Sequence, residues 1–169
     1  MKITDFKIRA PRGTYYGARL TNETKESVLD FLSDNKIPNP LSEDLMHVTV
    51  IYSRVWCGAR ALGDLDPNWQ GQFEAWNVWP TTPEKDEDEA TNCLTLGFIC
   101  PEMHERHRHL RSEGATHDFP DFKPHVTMSY DVGKDYDHIA LPHYHGPLHF
   151  HHEYSEPLNL NFVKTKVNK

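Results

Sequence analysis

Two short stretches hold the residues best suited to chemistry. Residues 47–53 read HVTVIYS, and residues 125–131 read HVTMSYD. His, Val, Thr and Tyr fill the same slots in both. Each stretch alternates like a β-strand, in which side chains two apart share a face. On that pattern His47, Thr49 and Ile51 point one way, and Val48, Val50 and Tyr52 the other. In the second copy His125, Thr127 and Ser129 stand opposite Val126, Met128 and Tyr130. One face of each strand packs on a core. The other presents an imidazole and a hydroxyl about 7 Å apart along the chain. If the two strands lie together, two His and two Thr face one pocket.

That set suits displacement at a phosphodiester. In-line attack on phosphorus needs a base for the nucleophile and an acid for the leaving oxygen. Imidazole titrates near pH 6.5 and can serve as either at neutral pH. The threonine hydroxyls can donate to non-bridging oxygens as charge shifts in the transition state. The expectation is a catalytic set of His47, Thr49, His125 and Thr127, with no cofactor and no metal. A single H-x-T on a strand is common by chance. Two copies with matched flanks are not, and packing alone would not need His and Thr on the polar face.

The flanking segments must position this set. Residues 14–20 (TYYGARL) read as a strand. Val28, Leu29 and Leu32 mark the apolar face of a helix over 22–36, with Asn22 able to cap its start. Ile37-Pro38-Asn39-Pro40 ends it, because proline disfavours helix in the residue before it. The first repeated segment, 46–53, is a strand, and a Gly/Asp/Pro-rich loop follows. Strands are expected at 72–79 and 92–100. A helix follows, opening on Pro101 and ending at Gly114. The second repeated segment is again a strand. Two more are expected near 147–154 and 157–163. Each half thus runs strand, helix, HVT strand. The fold class is α+β: two pseudo-symmetric lobes of antiparallel sheet with flanking helices and a shared cleft, as one domain over 1–169.

Composition narrows the partners. The net charge of −7 argues against a long nucleic acid, which needs a basic path along its phosphates. A small anion in a local pocket is still compatible. The three cysteines are too few and too irregular for a disulfide framework, and Cys93 and Cys100 sit in an apolar run as buried thiols. No stretch approaches the ~20 apolar residues of a membrane span. The first residues, MKITDFKIRAPRG, lack a signal-peptide block. The expectation is a soluble intracellular protein, with no signal for an oligomeric state. The acid-rich segment 84–89 reads as a solvated hairpin loop. Histidine is abundant at twelve, but HEXXH is absent, and the His-rich stretches near 104–109 and 138–152 read as structural or solvated. Arg54, just past the first motif, could offset phosphate charge.

Paired H-x-[ST] motifs are the hallmark of the two-histidine phosphoesterases. A narrower resemblance rests on PNP (38–40), HVTVIYSRV (47–55), GATHDFPDFKPHVTMSYDVG (114–133) and EYSEPLNL (153–160). These resemble the anti-CBASS family of T4-type phages, from about Tyr15 to Phe162. The resemblance implies a metal-independent phosphodiesterase that linearises cyclic di- and trinucleotides in the cytoplasm of the infected bacterial host. It puts the tetrad on His47, Thr49, His125 and Thr127. It also implies substrate-binding roles for Tyr15, Trp76 and Glu156. Phe162 fills a position where the family has Trp, which keeps a stacking face but removes an indole donor. Segments 57–70 and 80–91 are longer than the family pattern. Two other functions fit the residues less well. One is a general RNA-end or 2′,5′-oligonucleotide phosphoesterase, which the acidic surface disfavours. The other is a protein that only sequesters cyclic nucleotides, which would not need two matched proton-transfer groups.

Overall fold

A computed structural model describes residues 13–81 and 91–158. The acid-rich segment and Phe162 lie outside the described residues. Seven strands and two α-helices follow in the order β1 (Gly13–Leu20), α1 (Asn22–Asp34), β2 (Val48–Ser53), β3 (Gly63–Asp64), β4 (Gln72–Pro80), β5 (Asn92–Ile99), α2 (Pro101–Ser112), β6 (His125–Ser129) and β7 (Phe150–Leu158). All strands join one antiparallel sheet in the order β3-β7-β1-β2-β6-β5-β4.

The expected architecture is present, as two similar halves meeting at β2 and β6. Each half sends its helix over the other. Phe31 of α1 stacks on Trp76 of β4 at 5.1 Å between centroids. Arg106 of α2 pairs with Glu153 of β7 at 2.8 Å. Both helices bury their apolar residues, among them Val28, Leu32, Met103 and Leu110, against Val48, Val126, Leu94 and Leu96 of the sheet. Among the described residues neither α-helix covers the opposite face.

Three local readings need correction. Thr21, not Asn22, caps α1: it is extended, and its hydroxyl accepts from the Thr24 amide at 3.3 Å. Gly63 and Asp64, in the expected loop, pair with β7 as a short strand. In the tail β7 runs unbroken from Phe150 to Leu158, across the expected gap between 154 and 157, and the rest of the second expected strand lies outside the described residues. Proline at 157 suggests a break, yet β7 pairs with β1 through Pro157. Its other neighbour, β3, reaches only His152 and Glu153. Among the described residues nothing pairs with β7 at Pro157 on the side away from β1, so the missing N–H costs no ladder bond there.

The largest departure concerns alternation in the repeated strands. Gly17 pairs with Thr49 and Tyr16 with Ile51, so the ladder passes over Val50. Thr95 pairs with Thr127 and Leu94 with Ser129, so it passes over Met128. Both copies carry a β-bulge at the same slot. The bulge turns two consecutive residues inward: Val50 and Ile51 in one copy, Met128 and Ser129 in the other are all buried. Parity flips beyond it. Ile51 and Ser129 do not share the face of the His and Thr, and Tyr52 and Tyr130 emerge exposed.

Candidate active site

The helix-free face is built around one residue pair. Among the described residues, β2 and β6 are joined at Val48–Val126 alone. One step to either side of an antiparallel pair brings His47 toward Thr127 and His125 toward Thr49. Directly opposed residues have Cβ atoms about 4.5–5.5 Å apart, and diagonal ones lie about 7–8 Å apart. In this register the two histidines take the diagonal. An approximate two-fold axis passes through the valine pair.

The two imidazoles are held the same way. His47 Nδ1 meets the Leu45 carbonyl at 2.8 Å, and His125 Nδ1 meets the Lys123 carbonyl at 2.9 Å. A carbonyl can only accept, so Nδ1 carries the hydrogen in both rings. That leaves Nε2 of each as the atom that gains or loses a proton. Such a backbone carbonyl on the far nitrogen fixes both tautomer and ring direction.

The hydroxyls are also held. Thr49 Oγ1 lies 3.1 Å from Tyr15 Oη. Tyr15 is buried, with its ring edge-on to His47 at 6.4 Å. Burial holds its phenol well above the ordinary range, with Tyr154 and Glu156 acting in the same direction. The Tyr15 hydroxyl therefore stays protonated. On the other side Thr127 pairs with Thr95, whose Oγ1 accepts the Trp79 indole N–H at 3.1 Å.

The remaining expected residues divide. Glu156 lies opposite Tyr15 on β7 and is exposed on the same face. Trp76 pairs with Leu96 on the helix-covered face and is stacked on Phe31, with its indole N–H donated to the Pro142 carbonyl at 2.9 Å. It is not brought to the tetrad. Arg54 is engaged by Asp118 through bonds of 2.8 and 2.9 Å. That pairing holds the Asp118 carboxyl below its ordinary range.

Two aromatic residues escaped the sequence reading. Tyr154, opposite Gly17, packs on Tyr15 at 6.0 Å and lies under the Arg19 guanidinium at 4.9 Å. Its signal was available, because Tyr154 and Glu156 are two apart on one strand. Trp79 lies three residues from Trp76 and so on the other face, 46% exposed beside Thr95. The segment QFEAWNVW offers both tryptophans and does not say which face is open. Among the described residues, no three His, Cys, Asp or Glu side chains are grouped to hold a metal ion.

Two H-x-T strands are paired at the centre of an antiparallel sheet, and their imidazoles are anchored alike. The family model for Anti-CBASS protein Acb1 matches residues 12–165, and the chain belongs to that family. It is 33% identical over 163 residues to Anti-CBASS protein Acb1 of Vibrio phage KVP40, covering 96% of this chain and 97% of the relative. It is 30% identical over 166 residues to the protein of the same name from Enterobacteria phage T4, covering 96% and 97%. The crystal structure of TT0787 of Thermus thermophilus superposes with a TM-score of 0.51 over 85% of this chain and 83% of that one. At 13% identity this likeness concerns the fold alone.

Proposed function

We propose that this face cuts a 3′-5′ phosphodiester bond in cyclic di- and trinucleotide messengers, and so disarms the CBASS signal in the cytoplasm of an infected bacterium. The observation that carries the reading is the anchored pair of imidazoles on either side of Val48–Val126. Each presents Nε2, with a threonine of the opposite strand beside it. A phosphate between them meets a proton acceptor on one side and a proton donor on the other.

In the proposed reaction one Nε2 removes the proton of the ribose 2′-OH next to the scissile bond. The 2′-oxygen bonds to phosphorus as the bond to the 5′-oxygen breaks. The second imidazole, protonated at Nε2, gives its proton to that leaving oxygen. The products are a 5′-hydroxyl end and a 2′,3′-cyclic phosphate, and water can open the latter with the histidine roles reversed. Attack by water on the original bond is the competing route. Thr49 and Thr127 donate to the non-bridging oxygens as charge builds. The two imidazoles fill both proton-transfer roles, so this scheme needs no metal.

Binding falls to the flanks. Tyr154 and Trp79 border the tetrad from opposite sides, and stacking of one base on an aromatic face is worth about 1–3 kcal/mol. Tyr15 orients Thr49, and Glu156 can accept from an exocyclic amine. Trp76 acts through the core in this scheme. Phe162 keeps the stacking role that the resemblance gives it.

The test is product analysis in excess EDTA. A panel of 3′,3′- and 2′,3′-linked cyclic dinucleotides and a cyclic trinucleotide is incubated with the wild type, His47→Ala and His125→Ala. Linear products from the wild type alone support the reading. Intact nucleotide recovered bound to the wild type would make the protein a sequestering one. A 2′-deoxy substrate cut at the normal rate would leave only the water route.

A further inference from the structure

A bulged residue drops out of the ladder on its strand, and its carbonyl must find a donor elsewhere. The two bulges solve this differently. Met128 O accepts the backbone amide of Leu41 at 2.7 Å. Val50 O accepts a side chain: Nδ1 of His107, on α2, at 2.8 Å. His107 is 7% exposed, and its ring lies flat on Phe122 at 4.1 Å between centroids and 5° between planes. The ring cannot swing away without breaking that stack. Val50 is the residue after Thr49 and two before Tyr52, so its carbonyl direction sets how the chain turns through the bulge.

We infer that His107 is a positioning residue for the active face, holding the β2 bulge so that His47 and Thr49 match their counterparts on β6. The inference rests on the phosphodiesterase reading for its kinetic consequence only. The half built on β6 has a main-chain donor that no side-chain replacement at 41 removes, short of proline. The half built on β2 depends on one imidazole, which touches neither substrate nor the tetrad. A shift of about 1 Å in a reacting group can cost about a hundredfold in rate.

Three variants test this. Asn at 107 can place an amide N–H near the position of Nδ1. Gln carries its amide further out, near Nε2. Phe keeps the ring stack and has no donor. The expected result is a fall in kcat of about ten- to a hundredfold for His107→Phe and His107→Gln, with KM within about threefold, and recovery of most of kcat in His107→Asn. Amide hydrogen exchange over residues 49–53 is read in parallel and should speed up in the Phe and Gln variants but not in Asn. If His107→Phe does not fold, the Asn and Gln pair carries the comparison. Equal kcat in Asn and Gln, or unchanged exchange over 49–53 in Gln, would overturn the inference. A wild type without phosphodiesterase turnover would instead sink the proposed function, and the exchange data would still decide the positioning role.

Discussion

Tyr15 and Thr49 share a hydrogen bond of 3.1 Å between neighbouring strands, and it fixes where the threonine hydroxyl sits on the open face of the sheet. Burial keeps the phenol protonated, so the bond persists across the pH range in which imidazoles work. A net hydrogen bond is worth about 0.5–1.5 kcal/mol. Tyr15→Phe should therefore lower kcat about two- to tenfold. In a double-mutant cycle with Thr49→Val the two losses should not add, because both remove one interaction. Additive losses would mean that Tyr15 serves the substrate directly.

The paired histidines predict a pH–rate profile with two limbs. In the proposed scheme one imidazole is neutral and the other protonated, so kcat/KM should rise and then fall as pH increases. His47→Ala and His125→Ala should each cost about a hundred- to ten-thousandfold, and each should abolish one limb. Which limb survives in which variant assigns base and acid. Two variants that keep the same limb would show that the two rings do not divide these roles.

Gly17 shows how closely the open face is packed. A Cβ there would lie 2.7 Å from Tyr154 Cζ and Oη and 2.8 Å from Tyr15 Cε1. Gly17→Ala must push both rings aside, at about 1–3 kcal/mol of stability. A lower melting temperature and a several-fold rise in KM are expected, since one displaced ring, Tyr154, is a proposed base contact. An unchanged KM would remove Tyr154 from the binding surface.

The sequence was most informative where chemistry repeats and least where a strand departs from regular pairing. The H-x-T phrases, the helix opening on Pro101 and the stop at Ile37-Pro38 were all legible, since each follows from local sterics or periodicity. The bulges at Val50 and Met128 were not. A bulge adds one residue without changing composition, and strict alternation then puts Ile51 and Tyr52 on the wrong faces. The matching Tyr52 and Tyr130 held the clue, because a shared aromatic two places after a shared bulge returns to the open side. The choice between Trp76 and Trp79 depended on how β4 registers with β5, a non-local matter.

His107 links stability to pH. Burial, first, and then the nearby His117, Arg111 and His104 push its pKa below the ordinary value of 6.5, against the pull of the Val50 carbonyl. The unfolded chain therefore takes up a proton at a higher pH than the folded one. Stability rises with pH through this window, is fully present above about 6.5, and is lost as pH falls through the lower folded value. Melting temperatures measured from pH 7.5 downward should fall as the medium drops below about 6.5, and His107→Asn should flatten that slope. An equally steep slope in the Asn variant would assign the acid sensitivity to other groups.

Glu153 is the buried charge that ties the two halves together. It is 0% exposed, and its oxygens accept from Arg106 Nε and Nη2 at 2.8–3.1 Å and from the Leu62 amide at 3.0 Å. Arg106 also donates to the Arg60 carbonyl at 2.8 Å, so α2, β7 and the segment before β3 meet at this one pair. Removing one partner leaves the other charge buried and unpaired, which costs about 3–5 kcal/mol. Glu153→Ala should lose about that much in urea unfolding, and Arg106→Met/Glu153→Leu should recover a large part of it, because the paired replacement strands no charge. A double variant as unstable as Glu153→Ala would show that the damage comes from packing and the lost Leu62 bond, and not from the orphaned guanidinium.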